Sequence, residues 1–353
     1  KDLMKSLILT LLILSFAAII NSRSFNLVNQ CSETVWFGFV SGSGSPQIAP
    51  SDNNYELAPH GGKKSVNIPT TIWSGVIAGR TGCTDKGCVT ADCGNGKGAC
   101  PHGFQPPTTQ AEFTLNPLDT DYYDVEIING INIPISITPS VSSQASDPYF
   151  CGAPGARNPS VGLSGCNWSL EPPSSEYRWV ENGGNTCKSD SDCTNGTLCG
   201  LSFNPGFQQL LQLKCGKLLG YWTADQICGV QRDFGAPFHC SDKVPGQEAL
   251  TWWHLMACVG TDTCYKDGAQ SNCCGCVNWN EEGIPVPPSP YTEQCRNKNS
   301  RWVDVIKPQL SWLKKACPTA YVYPYDDKSS TYTCNSHHPG FNDVSYTITF
   351  CPQ

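Results

Sequence analysis

The 353-residue chain is short of charge: Lys, Arg, Asp and Glu together make up only 15% of it. Basic residues are the scarcer sign, 23 against 30 acidic, a net charge of −7. A chain with no basic excess or basic stripe is a poor partner for nucleic acid or an anionic membrane. Methionine is nearly absent, with two residues, so branched and aromatic side chains must fill the core. Long apolar runs are missing except one, Leu7 to Ile20, which is too short to span a bilayer comfortably. It follows Met4-Lys5 and precedes Ser22 and Ser24, the layout of a secretion leader cut after Ser22 or Ser24. Lys1 to Leu3 then read as upstream translation, and residues 1–24 stand outside the fold. Without Lys1, Lys5, Arg23 and Asp2 the balance becomes 20 basic against 29 acidic. Also missing are internal repeats, EF-hand spacing and a nucleophile-elbow motif, which removes the usual signals for calcium loops and serine hydrolases.

What is abundant is cysteine. Twenty-two cysteines, an even number, predict up to eleven disulfides and an oxidising compartment, hence an extracellular location. Glycine (33) and proline (27) are about a sixth of the chain, as suits a loop-rich, mainly β protein. Phe25 to Val28, Thr34 to Phe39, Ser65 to Ile68, Glu112 to Leu115, Tyr123 to Ile127 and Val344 to Phe350 read as strands. In the last, every even position is apolar and every odd one Ser or Thr, the period of a half-buried strand. The stretch from Cys151 to Cys317 holds 15 of the cysteines and some helical signals. Asn204-Pro205 with Phe207, Leu210, Leu211 and Leu218 suggests one helix, and the capping box Thr223-Ala224-Asp225-Gln226 another. Trp302, Val305, Ile306, Leu310 and Leu313 suggest a third, entered or kinked at Pro308.

Several motifs, in order, resemble the thaumatin-like family of sweet thaumatins, osmotin-type plant defence proteins and fungal relatives. They are Phe25 to Cys31 with Thr34-Val35-Trp36, Gly79 to Cys83 with Cys88, Ala91 to Gly94 and Cys100, and Pro106 to Phe113. Asp121 to Asp124, Asn129 to Pro134, Ala316 to Tyr321, Tyr323 to Asp327, Thr331 to Cys334 and Phe350 to Pro352 continue the series. The resemblance implies a two-sheet antiparallel β-sandwich with a disulfide-rich, partly helical lobe. It divides the chain into a sandwich over 25–150, a lobe or insertion over 151–316 and closing strands over 317–353. It implies the disulfides Cys31–Cys351, Cys83–Cys88, Cys93–Cys100, Cys151–Cys334 and Cys166–Cys317. The first would close a loop of over 300 residues, where even one of about 100 residues contributes roughly 4.7 kcal/mol in the chain-entropy account.

The family carries an acidic cleft that binds β-1,3-glucan and in some members hydrolyses it weakly. Its positions fall on Glu112, Asp124, Asn129, Asp326 and Asp327. Two depart from the family pattern: Asn129 replaces an aspartate, and Val76 stands where the cleft arginine would be. Gathered carboxylates raise one another's pKa, and an arginine moderates that repulsion. Losing the cation and one acid points to a binding cleft for wall glucan or another polysaccharide before a catalytic one. The alternatives are an endo-β-1,3-glucanase with Glu112 as acid and Asp124 as its partner, and an extracellular protein-binding module working through the lobe. The plain alternative for both acids is a solvated strand face. No cofactor or metal is expected. Cys273-Cys274-Gly275-Cys276 with His337-His338 imitates zinc ligands, but cysteines of an oxidised protein are usually paired. Asp85, Asp92, Asp190 and Asp192 lack a calcium-loop pattern. Asn167-Trp168-Ser169 and Asn195-Gly196-Thr197 are glycosylation sequons. Trp222, Trp252, Trp253 and Trp279 offer sugar-stacking faces, although core packing explains tryptophans equally well. A monomer is expected.

Overall fold

The computed structural model describes residues 23–142, 147–157, 165–203, 211–262, 264, 271–286, 298–336 and 340–353. Sixteen strands carry the described fold. In chain order they are β1 (Ser24–Asn29), β2 (Val35–Ser41), β3 (Glu56–Leu57), β4 (Gly62–Asn67), β5 (Trp73–Thr81), β6 (Gln110–Leu115), β7 (Asp121–Glu126) and β8 (Ile135–Pro139). Then follow β9 (Arg178–Val180), β10 (Leu198–Phe203), β11 (Leu211–Gly216), β12 (Leu218–Tyr221), β13 (Lys243–Val244), β14 (Gln247–Thr251), β15 (Tyr332–Cys334) and β16 (Tyr346–Phe350).

Two sheets form the sandwich: a six-stranded one, β15-β7-β6-β5-β2-β3, and a four-stranded one, β4-β1-β16-β8. The alternation that marks the strands is the cause of this packing. Phe25, Leu27, Tyr346, Ile348 and Phe350 point inward from one sheet, and Phe37, Trp73, Ile77, Phe113 and Tyr123 from the other, all essentially inaccessible. Their rings interlock, with Phe113 edge-on to Phe25 and Tyr346 at centroid separations of 5.0 and 5.2 Å. Gly79 has no room for a side chain, since a Cβ there would lie 2.6 Å from Ile133 Cδ1 and 2.8 Å from Phe350 Cδ1. Most pairing is antiparallel, but β1 runs parallel to β16. The two strands therefore leave the sheet at the same end, where Cys31 and Cys351 are joined.

The fold begins slightly earlier than the sequence suggests. Ser24 opens β1, and Arg23 is buried, pairing with Asp121 and donating from Nε to Val344 O at 2.8 Å. Cleavage after Ser24 would remove both residues, and cleavage after Ser22 would keep both. A buried carboxylate needs a partner, and Arg23 supplies it, together with the Tyr346 hydroxyl at 2.7 Å.

The lobe contains a second four-stranded sheet, β11-β10-β9-β12, and the β13-β14 hairpin. The helix suggested around 204–218 does not form over its described part. Leu211 lies in β11 and Leu218 in β12, and residues 204–210 fall outside the described residues. Cys187–Cys199 and Cys193–Cys215 pin the β10-β11 hairpin, and this tertiary constraint overrides helical spacing. The other two helices are present. Ala224–Val230 follows Thr223, and Trp302–Ile306 forms a π-helical turn running into the helix Lys307–Ala316. Trp222 and Trp279 are buried, whereas Trp252 and Trp253 are half-buried.

The structure pairs Cys31–Cys351, Cys83–Cys88, Cys93–Cys100, Cys151–Cys334 and Cys166–Cys317. In the lobe it adds Cys228–Cys240, Cys258–Cys274 and Cys264–Cys273, and Cys276 is disulfide-bonded as well. Among the described residues no cysteine is free. The small loops around Cys83–Cys100 are organised from inside by Arg80, which is fully buried and donates to the carbonyls of Trp36, Phe37, Gly96 and Gly98. Burial lowers the pKa of its guanidinium to about 10. Among the described residues no helix is long and apolar enough to cross a membrane.

Candidate functional site

The outward face of the six-stranded sheet follows from the same alternation that buries the other face. Along β7 it presents Tyr122, Asp124 and Glu126, along β6 Gln110, Glu112 and Thr114, and along β5 Ser74 and Val76. Register then brings these side chains into rows. Val76 lies opposite Glu112, and Glu112 opposite Asp124. The next row joins Ser74, Thr114 and Tyr122, with Ser74 Oγ 3.2 Å from Thr114 Oγ1. Directly opposed residues of antiparallel strands have Cβ atoms about 4.5–5.5 Å apart, so Glu112 and Asp124 are immediate neighbours.

The lobe adds to this face. Helix Ala224–Val230 brings Asp225, whose Oδ1 accepts from Thr223 Oγ1 at 2.6 Å, and Gln226, whose Nε2 donates to Asn129 Oδ1 at 3.2 Å. Asn129 Nδ2 in turn donates to Glu126 Oε1 at 2.7 Å. Asn129 is therefore a neutral link between sandwich and lobe. Tyr321 bridges to Glu126 at the edge of β7, and its hydroxyl is bonded to Asp327. Glu126 and Asp225 were not singled out in the sequence. Glu126 had a signal, because it lies two residues from Asp124 and strand alternation puts both on one face. Asp225 lies about 100 residues further along and nothing local indicates it.

Electrostatically the site is an acid cluster. Burial pushes the Asp124 carboxyl well above the usual range, and Glu112, Glu126, Asp327 and Asp326 push it further. Burial, then Glu112 and Asp225, raises Glu126 to about 8. Burial raises Asp225 to about 6. The Glu112 side chain is exposed, yet the protein mass around the cleft displaces enough water to raise its pKa as well. Asp124 is 9% exposed, and its Oδ1 has no hydrogen-bond partner.

Asp326 lies buried behind the acid cluster rather than on its open side. It is 1% exposed, and Lys314, Trp279, Ser329 and Ser330 occupy its carboxylate. It is a wall residue that reaches Asp124 only through its charge, and adjacent Asp327 is the exposed member of the pair. Three of the four acids considered for calcium cap turns instead: Asp92 accepts from Cys88 N, Asp190 from Arg178 and Cys199 N, and Asp192 from Lys188 N and Ser189 N. Among the described residues the only cysteine group close enough to hold a metal is Cys187, Cys193 and Cys215, and all three sulfurs are in disulfides. His337 and His338 lie outside the described residues.

This sandwich-plus-lobe arrangement can be set beside known proteins. The sequence profile of the Thaumatin family matches residues 29–352. The chain belongs to the thaumatin family. It is 28% identical over 335 residues to the pathogenesis-related thaumatin-like protein 3.5 of Cryptomeria japonica, covering 93% of this chain and 90% of that one. It is 27% identical over 360 residues to the glucan endo-1,3-beta-glucosidase of Prunus avium, covering 100% and 99%. Among solved structures, a laminaripentaose-producing beta-1,3-glucanase in complex with laminaritetraose aligns with 94% of this chain and 99% of its own, at 13% identity and a TM-score of 0.37. This member of the thaumatin family places valine beside its paired cleft acids, where the cleft resemblance leads one to expect an arginine.

Proposed function

We propose that this thaumatin-family protein is secreted and binds a cell-wall polysaccharide of the β-1,3-glucan type in the cleft, as a defence protein. The observation that carries the reading is the cross-strand pair Glu112 and Asp124 with the exposed ring of Tyr122 in the adjoining row. Carboxyls accept hydrogen bonds, and burial that favours the protonated form lets them donate as well, so they match sugar hydroxyls. A flat aromatic face beside them suits the C–H face of a pyranose. The names of the Cryptomeria and Prunus relatives support defence and glucan as the context. The disulfide density supports an extracellular location.

The test is retention on insoluble β-1,3-glucan. Asp124→Ala should weaken retention about tenfold, the loss of one strong hydrogen bond. Its thermal midpoint should be unchanged or higher, because alanine removes a carboxyl that burial disfavours when charged. Absence of retention on every wall glucan overturns the reading.

Hydrolysis is the second reading, because cross-strand neighbours approach the short carboxyl separation of retaining glycosidases, about 5–5.5 Å. That mechanism needs one ionised and one protonated carboxyl. Here the group facing Glu112 across the sheet is Val76, so no cation stands there to hold one carboxyl of the pair ionised. Binding is therefore favoured. Release of reducing ends from laminarin that disappears in Glu112→Gln would reverse this order.

Asn167 and Asn195 are both exposed, which supports glycosylation of the secreted protein. Treatment with an N-glycan amidase should lower the intact mass by two glycans, and unchanged mass would refute it.

A further inference from the structure

The row across the sheet at the cleft reads Val40, Val76, Glu112, Asp124. It has two apolar members, then two acids, and no base. The groups that act most strongly on Asp124 are all carboxylates: Glu112 from β6, Glu126 from its own strand, and Asp327 and Asp326 from the turn packed against β7. Asp225 faces Glu126 from the lobe helix. The cation built into the wall, Lys314, is committed to Asp326, Ser330 and the Ala320 carbonyl. Asp124 Oδ1 is buried in this cluster without a donor. Such an oxygen is best satisfied by a donor that also carries positive charge.

The neighbouring row narrows what brings that charge. Tyr122 is 51% exposed, and Thr114 and Ser74 continue its row with hydroxyls. Two residues along a strand span about 7 Å, a distance that one hexose ring and its linkage can bridge. A hexose lying on Tyr122 thus places a substituent of its neighbour over Glu112 and Asp124. We propose that the cleft selects a polysaccharide bearing primary ammonium groups, a glucosamine polymer, over a neutral glucan. This rests on the saccharide reading of the cleft and names its substrate class. A basic peptide would also satisfy the acids, but it makes no use of an exposed ring flanked by hydroxyls.

Arrival of an ammonium group favours the ionised form of every acid around it, so protons leave as the ligand binds. Calorimetry on the secreted, full-length protein in mildly acidic buffer tests the proposal, with glucosamine hexamer, laminarihexaose and a lysine hexapeptide as probes. Glucosamine hexamer should bind about tenfold or more tightly than laminarihexaose. Its heat should change with the ionisation enthalpy of the buffer, and its affinity should fall with salt. Val76→Arg puts a guanidinium beside Glu112 and should abolish the preference while laminarihexaose binding persists. Val76→Lys should do the same, and an unchanged circular-dichroism spectrum shows that either variant is folded. Equal or weaker binding of glucosamine hexamer, with laminarihexaose still bound, overturns charge selection and leaves the saccharide reading standing. Tighter binding of the lysine peptide overturns the choice of a sugar. Binding of no probe overturns both readings together.

Discussion

Replacing Lys314 with methionine should destabilise the folded protein by about 3–5 kcal/mol, the usual result of removing one member of a buried ion pair. Both partners are wholly inaccessible, and Lys314 Nζ donates to Asp326 Oδ2 at 2.7 Å, to Ser330 Oγ at 2.8 Å and to the Ala320 carbonyl at 2.8 Å. Methionine fills the volume and leaves Asp326 with only neutral donors, Trp279 Nε1, Ser329 Oγ, Ser330 Oγ and Val322 N. Denaturant unfolding with disulfides intact measures the loss. Lys314→Met combined with Asp326→Asn should recover part of it, since the amide removes the unpaired charge and its oxygen still accepts from buried donors such as Trp279 Nε1. A shift of the single variant below about 1 kcal/mol would mean that the pair behaves like a surface one.

The second large effect is the dependence of stability on pH. Glu126 is raised to about 8 and Asp225 to about 6, and Asp124 and Glu112 are raised as well, burial being the main cause in each. In the unfolded chain these groups titrate near 4. The folded state therefore holds more protons between about pH 4 and 8, and stability must fall as pH rises through that window. The expected fall is about 2–4 kcal/mol, less than the full shifts imply because the cleft is partly hydrated. Thermal midpoints across the range measure it, and Glu126→Gln should flatten the upper half of the curve. Asp190 and Asp192, lowered by backbone hydrogen bonds, act in the opposite sense only below about pH 4. A midpoint that rises from pH 4 to 8 would contradict the account.

Six of the ten sandwich strands, β1, β2, β4, β6, β7 and β16, were legible in the sequence, chiefly where alternation states a strand's own burial, and β3, β5, β8 and β15 were not read. The alternation in Tyr346 to Phe350 or in Gln110 to Leu115 reports which side chain faces the core without knowledge of the partner strand. The lobe was not, because β10, β11 and β12 are held by disulfides and by pairing that no local period encodes. In the acid cluster, Glu112, Asp124 and Asp327 were named through the resemblance. Glu126 follows from alternation once Asp124 is placed. Asp225 depends on how the lobe docks, and the burial of Asp326 on Lys314, which reaches it from a helix twelve residues earlier.

The parallel pairing of β1 with β16, sealed by Cys31–Cys351 across 320 residues, gives the molecule an unusual mechanical character. Tension applied on either side of that bond passes straight through one sulfur–sulfur link and bypasses every strand between. An exopeptidase working inward from either flank meets the same closed ring. Wear on everything between Cys31 and Cys351 must begin with an internal cut.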